Sequence, residues 1–283
     1  MKRGTRIQCI NGPDLGGDLL QEVSDAYRFV FNNVNGHWLV FPSTQEFVAP
    51  SEIFGRRQGA FYGLPELDSF PRSRYPRHHR TGEQAILWHD PYTTFEVLGR
   101  KLKAPGAYVA ITRDQESGRL DGMTFGYQAN LHTVFEGEWQ NPFMYTQLRD
   151  PQYYLDEHVF LKVLRENSGM LNRCEPESEV FCWNAAFTMP WSRGLSVLLP
   201  MVQHFFQMVP EESKTLINIQ ELTEGSAAYQ ILTGLGVHHI RGFLPKGTVI
   251  SVAQVKSLAE GFSVMPRAFI KRVRGQFAIT SEC

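Results

Sequence analysis

Between residues 18 and 32 the apolar positions Leu19, Leu20, Val23, Tyr27, Val30 and Phe31 recur at helical spacing. With Asp18 as a cap, they predict an amphipathic helix. Residues 33–82 break that order, crowding Gly, Pro, Arg and aromatics without a sustained period, which predicts irregular structure or a surface insertion. Periodicity returns at Asp90-Pro91, a cap followed by proline at the first helical position, and Ala104-Pro-Gly106 supplies the stop. Two apolar-rich runs, 107–113 and 119–127, predict a hairpin with Gly118 in its turn.

A second Asp-Pro start, Asp150-Pro151, leads into Tyr154, Leu155, Val159, Val163 and Leu164 at helical spacing and predicts a helical insertion within 130–178. The remainder alternates: strand 179–188, helix 196–209, strand 215–221, helix 225–235, strand 237–243 and a last strand within 266–279. Such alternation predicts one α/β domain over 1–283, a central sheet flanked by helices, enlarged at about 33–85 and 130–178.

Strict alternation in strand 179–188 puts Phe181, Trp183, Ala185 and Phe187 on one face and Val180, Cys182, Asn184, Ala186 and Thr188 on the other. The second, smaller face leaves room for a narrow ligand or receives a bulky helix. Pro190 ends ladder pairing, and Trp191-Ser-Arg-Gly-Leu-Ser196 turns the chain into a helix. A helix N-terminus reached this way is an anion site: unpaired amides and the positive dipole end face the ligand. Gly194 permits close backbone approach, Arg193 adds a fixed positive charge, and Ser196 is placed to cap. With Ser196 as cap, Pro200 lies at the edge of the first turn and predicts an irregular or kinked start.

Composition narrows the partners. A formal net charge of -1 on 283 residues gives no global attraction to nucleic acid or anionic membranes. The four cysteines, Cys9, Cys174, Cys182 and Cys283, show no CxxC spacing and point to a reducing compartment. The N-terminal residues do not build the apolar core of a signal peptide, and no stretch has the apolar length of a membrane span, so the expectation is a cytoplasmic protein with no membrane partner. No metal motif is present: His78-His79 are adjacent and there is no HExxH. The strongest local charge is Pro71-Arg-Ser-Arg-Tyr-Pro-Arg-His-His-Arg80, a solvated loop or a contact for phosphate, an acidic carrier or RNA.

Strand Thr215–Glu221, the Ala-rich stretch Gly225-Ser-Ala-Ala-Tyr-Gln-Ile-Leu-Thr-Gly-Leu-Gly236 and the strand from Val237 follow the Gly-loop helix in an uncommon order. Through these residues, over about 105–245, the chain resembles the GCN5-related N-acetyltransferase (GNAT) superfamily. The resemblance implies a mixed central sheet, acetyl-CoA or another acyl-CoA as cosubstrate, no metal, and acyl transfer to an amine acceptor by direct attack. The acceptor would be an amine-bearing small molecule or protein. It implies a pyrophosphate loop over Trp191–Ser196, with Gly194 at the pattern's glycine, Trp191 in place of its Arg or Gln, and Ser196 at its small terminal position.

Carried over residue by residue, acyl-CoA would be bound by Phe187, Thr188, Met189, Arg193, Gly194, Leu195, Ser196, Ser226 and Tyr229. The Thr188 amide would stabilise the oxyanion. The family's general-acid tyrosine falls on Leu232, with Tyr229 one turn earlier as a substitute or a core tyrosine. Glu179, Glu221, Glu136 and Glu138 are candidate bases, and at most one of His238 and His239 faces a cleft. Insertion aromatics Trp139, Phe143, Tyr145, Tyr153 and Tyr154 suit a bulky or apolar acceptor or acyl chain, or form a small core. Two other readings stay open: a transferase of the same fold using acyl-carrier protein or aminoacyl-tRNA, and a non-catalytic acyl-CoA-binding module.

Overall fold

The computed structural model describes residues 5–44, 46–55, 61–139, 156–169, 171, 174–192, 195–210, 215–221, 226–241 and 248–264. It opens with strand β1 (Thr5–Asn11), which has no clear apolar period, and helix α1 (Gly17–Asn33), whose cap is Gly16 rather than Asp18. Asp18 sits instead in the first turn, where a carboxylate favours the positive helix end.

The stretch expected to be irregular has a core of its own. Strands β2 (Leu39–Phe41) and β3 (Glu46–Val48) pair, helices α2 (Pro50–Phe54) and α3 (Leu64–Asp68) follow, and β4 (Ile86–Leu87) completes a three-stranded antiparallel sheet in the order β3-β2-β4. Fully buried Trp38 is ringed by Phe54, Phe70 and Tyr75, at centroid distances of 5.5, 5.5 and 6.4 Å. Arg28 of α1, 2% exposed, fastens this unit by donating to both Asp68 carboxylate oxygens and to the His89 carbonyl.

Helix α4 (Pro91–Leu102) begins as expected, with the Asp90 carboxylate accepting from the Thr93 amide at 2.9 Å. The hairpin β5 (Ala107–Asp114) and β6 (Leu120–Asn130) turns through Gly118 at φ 68°. A short helix α5 (Leu131–Val134) follows; α6 (Glu157–Asn167) is capped by Asp156, whose side chain accepts from Val159. The expected start at Asp150-Pro151 and the aromatics Phe143, Tyr145, Tyr153 and Tyr154 lie outside the described residues, as does the Trp139 side chain.

Then come β7 (Glu179–Thr188), α7 (Leu195–Met208), β8 (Thr215–Glu221), α8 (Ala227–Gly234), β9 (His238–Ile240), β10 (Thr248–Gln254) and α9 (Val255–Val264). The pair β10–α9 was not foreseen, and the strand expected within 266–279 lies outside the described residues. Among the described residues seven strands form one mixed sheet in the order β1-β5-β6-β7-β8-β10-β9, antiparallel except for β7 and β8. Helices cover both faces. Phe205 and Phe206 of α7 pack with Phe181, Trp183 and Leu216 on one face, and Val23 and Tyr27 of α1 pack with Val109, Ile111 and Phe125 on the other. This is the mixed α/β sheet, flanked by helices, that the alternation predicts.

Candidate active site

The register between β6 and β7 slips once. Phe125 pairs with Ala185 but Gly126 pairs with Trp183, so Asn184 is an extra residue on β7, a β-bulge. A one-residue slip exchanges the faces of everything beyond it. Phe181 and Trp183 pack with α7, whereas Ala185 and Phe187 turn to the opposite face and pack with the α1 core. The single alternation expected for 180–188 therefore does not hold.

Three residues hold the slip in place. The Trp183 indole N–H donates to Thr124 Oγ1 at 2.8 Å, and that hydroxyl donates to the Ala185 carbonyl at 2.9 Å, bracing the residues on either side of Asn184. Gly126 lies opposite; a Cβ there would stand 2.6 Å from both the Cys182 carbonyl oxygen and a ring carbon of Phe181. Only glycine lets the strands approach this closely.

Directly beyond Cys182 the sheet opens. β7 and β8 pair in parallel only at Phe181↔Leu216 and Cys182↔Ile217. At the next level the Asn218 side-chain amide donates to the Trp183 carbonyl, a side chain replacing a ladder bond. Among the described residues no strand pairs with β7 past this point on that side. The Met189 amide donates to the Asp121 carbonyl at 2.8 Å, on the β6 side. Backbone groups alternate along a strand, so Phe187 also turns to β6, and the amides of Ala186 and Thr188 face the opening. An opening thus lies between β7 and β8 where their pairing ends, and among the described residues its β7 arm carries two amides without a strand partner.

At its outer end β7 passes through a 3-10 turn, Pro190–Ser192, toward α7. Met189 is 4% exposed and its amide is committed to Asp121, so neither is offered to a ligand, contrary to expectation. Trp191 anchors the turn: its N–H donates to the Leu120 carbonyl at 3.2 Å, its ring lies 5.6 Å from Phe29, and the Arg119 guanidinium sits 4.5 Å above it. The Ser192 hydroxyl donates to the Asp121 carboxylate. Arg193 and Gly194 lie outside the described residues, as does the Leu195 side chain.

Ser196 is the second residue of α7 and not its cap. Its N–H belongs to the first turn, which has no intrahelical acceptor, and its carbonyl also lacks a helical partner because residue 200, four further on, is Pro200. The proline sits well inside a helix that runs on to Met208.

The remaining candidates are dispersed. Ser226 caps α8, accepting from the Tyr229 amide at 3.2 Å. The Tyr229 ring packs 4.9 Å from His239, and the Arg241 guanidinium lies 4.7 Å from it; His239 belongs to the edge strand β9, and Arg241 follows that strand directly. Two strands, β10 and β8, separate β9 from β7, so the expected general acid is held away from the β7 arm. Leu232, at the family's tyrosine position, is buried core.

Glu179 begins the ten-residue strand that Thr188 ends, about 30 Å away at strand rise, which removes it as a base for chemistry there. Glu221 ends β8 on the opposite arm of the cleft; its side chain lies outside the described residues, as does that of Glu138. Glu136 pairs with His132 at 3.4 Å, and Cys182 is buried core. His78 is buried, 3.3 Å from Glu46, with its Nδ1 accepting from the Thr81 amide. Of the basic segment, Arg77 donates to the Gly82 carbonyl and Arg80 to the His79 ring.

Two features went unanticipated. Ala186 offers a second cleft-facing amide, and Asn218 stands where the strands part. The only trace of the latter in the sequence is one amide residue within the apolar run Leu216-Ile-Asn-Ile219.

Fold and site define a mixed α/β protein whose central parallel pair splays into a cleft ending at a helix N-terminus. No protein-family model matches the chain, and no curated protein sequence matches it. Among solved structures the chain is similar to arylalkylamine N-acetyltransferase 2 from Aedes aegypti, at 12% identity over 89% of this chain and 99% of that one, with a TM-score of 0.44. It is similar to a CoA-dependent acyl-homoserine lactone synthase with SAM and isopentyl-CoA, at 12% identity over 96% and 99%, TM-score 0.43. A GNAT-family acetyltransferase from Listeria monocytogenes matches at 10% identity over 68% and 80%, TM-score 0.31. Among the described residues no helix is long and apolar enough to cross a membrane, and no three His, Cys, Asp or Glu side chains gather as a metal site.

Proposed function

We propose that the protein transfers an acyl group from acyl-CoA to a primary amine by direct attack, without a covalent enzyme intermediate. The observation that carries this reading is the unpaired edge of β7, which presents the Ala186 and Thr188 amides and leads to the N-terminus of α7. A pantetheine arm carries two amides and can pair with such an edge as a strand would. The first-turn amides of α7, Ser196 included, together with Arg193 and Gly194, would hold the pyrophosphate.

Chemically, the amine nitrogen attacks the thioester carbonyl, the oxyanion is held by the cleft-facing amides of β7, and the C–S bond then breaks to release the thiolate. Thr188 keeps the role expected of it, now shared with Ala186. Glu221, at the end of the β8 arm, is the carboxylate we assign to taking the amine's proton through water. Ser226 and Tyr229 serve α8 and the β9 edge rather than the reacting atoms.

A second reading, an acyl-CoA-binding module without turnover, is favoured by one observation: Tyr229 is held at β9 and Glu179 at the far end of β7. Isothermal titration with CoA, followed by CoA release from acetyl-CoA across an amine panel, separates the two. Transferase function predicts binding and turnover, both lost in Gly194→Glu. Binding without turnover supports the module, and absence of binding at millimolar CoA overturns both and leaves an acyl-carrier or aminoacyl-tRNA donor.

A further inference from the structure

Across the α7 face of the sheet, at the level where β7 and β8 part, runs a row of polar side chains. Asn218 of β8 is in register with Ser251 of β10, and Ser251 with His239 of β9. Neighbouring Ile217 and Ile219 point to the opposite face, so Asn218 shares its face with Leu216, beside Trp183 and Phe205. Asn218 is 3% exposed and Ser251 1% exposed; His239 Nδ1 lies 2.9 Å from the Ser251 hydroxyl. Asn218 gives one amide hydrogen to the Trp183 carbonyl, while its Oδ1 is buried with no hydrogen-bond partner among the described residues.

An unanswered acceptor in an apolar core is a standing cost unless something else supplies the donor. Its position says what that is. The cleft opens at the ends of β7 and β8 and closes at Trp183 and Asn218, so a donor thioester lying along Ala186 and Thr188 points its acyl chain at Asn218. An acceptor amine must come from solvent, whereas this end is buried, Asn218 and Ser251 both lying in the interior. The row itself holds an amide, a hydroxyl and an imidazole whose pKa is lowered to about 4 by burial and then by Arg241 and His238, Arg241 lying beyond His239 against Tyr229. At Asn218, two strands in from Arg241, an ammonium or carboxylate has no counter-charge in the row to meet it, whereas a hydroxyl needs none.

We infer that Asn218 determines acyl specificity, its Oδ1 accepting a hydrogen bond from a hydroxyl group on the acyl chain of the donor thioester. The inference rests on the acyl-CoA reading above. It makes the preferred donor a short hydroxyacyl-CoA rather than its unsubstituted counterpart.

Isothermal titration without any acceptor amine tests it, comparing CoA, butanoyl-CoA and β-hydroxybutanoyl-CoA on the full chain. The hydroxyacyl thioester is expected to bind roughly tenfold tighter than butanoyl-CoA, the effect of one matched buried hydrogen bond. In Asn218→Leu that difference disappears, read as the ratio of the two thioester affinities within the variant. If Asn218→Leu fails to fold, Asn218→Ser and the wild-type comparison decide. Equal affinities of the two thioesters with CoA binding intact overturn this inference alone, and mean that ordered water answers Oδ1. No binding of CoA at all overturns the underlying reading with it.

Discussion

Trp183 and Ala185 pack into the cores on opposite faces of the sheet, yet one hydroxyl ties them together: Thr124 accepts from the Trp183 indole and donates to the Ala185 carbonyl. Asn184 is the residue bracketed between them. Replacing Thr124 with Val keeps the shape but removes the acceptor of the Trp183 N–H and one donor to the Ala185 carbonyl. We expect a loss of about 1–3 kcal/mol in unfolding free energy by chemical denaturation, and an unchanged stability would show that the brace is dispensable.

Gly126 faces the same bulge from β6. Gly126→Ala forces a Cβ against the Cys182 carbonyl and the Phe181 ring, where neither strand has freedom to withdraw. Overpacking of this kind costs about 1–3 kcal/mol. Gly118→Ala in the exposed hairpin turn has open space but a φ of 68°, so it should cost less. Thermal melts of the two variants check the order.

The fastening of the 33–85 insertion depends on Arg28. Asp68→Ala removes two charged hydrogen bonds from that guanidinium, 2% exposed, and leaves it Asp25 at 3.9 Å, so a loss of about 1.5–3 kcal/mol is expected. Limited proteolysis should show cleavage within the insertion before the main sheet is attacked. Simultaneous cleavage of both would argue that Asp68 does not hold the unit on.

Acid should destabilise the protein through three imidazoles, of which His89 is held well below 6.5 by burial and then by the neighbouring His37 and Arg28. Burial depresses both His37 and His239 from 6.5 to about 4, so each is neutral when folded and protonates more readily when unfolded. Their contribution is fully present above about 6.5 and is lost as pH falls toward 4. Denaturation midpoints measured across that window should fall with pH, and His37→Phe should flatten the slope. A midpoint independent of pH would sink this assignment.

If acyl transfer is confirmed, Tyr229→Phe should keep kcat within roughly twofold, since removing a true general acid costs a hundredfold or more. Steady-state rates with the best amine of a panel decide it. A collapse of kcat would return Tyr229 to the reacting atoms.

Much of this architecture was readable where one period persisted. Leu20, Val23, Tyr27 and Val30 give away α1, and Asp90-Pro91 gives away the start of α4. By contrast β1 alternates poorly because it is an edge strand with mostly exposed residues, and the three-residue strands around Leu39 and Phe47 are too short to establish a period. The bulge is hidden for another reason. Ala185 and Ala186 are small enough for either face, so the residues around Asn184 read as unbroken alternation. The site is harder still, because its donors are main-chain amides at Ala186 and Thr188 and carry no residue signature. The fate of Tyr229 depended on the pairing of β9 outside β10, a long-range fact that no local spacing reports.

The β6 register passes over Asn184, Phe125 pairing with Ala185 and Gly126 with Trp183, which makes the strand sensitive to length. Deleting that one residue would keep every other side chain in the sequence and still turn Phe187 toward α7 and swing the Ala186 and Thr188 amides into the ladder with β6. The cleft would be sealed by its own hydrogen bonds. Variation in the length of this chain therefore belongs in its insertions, never in β7.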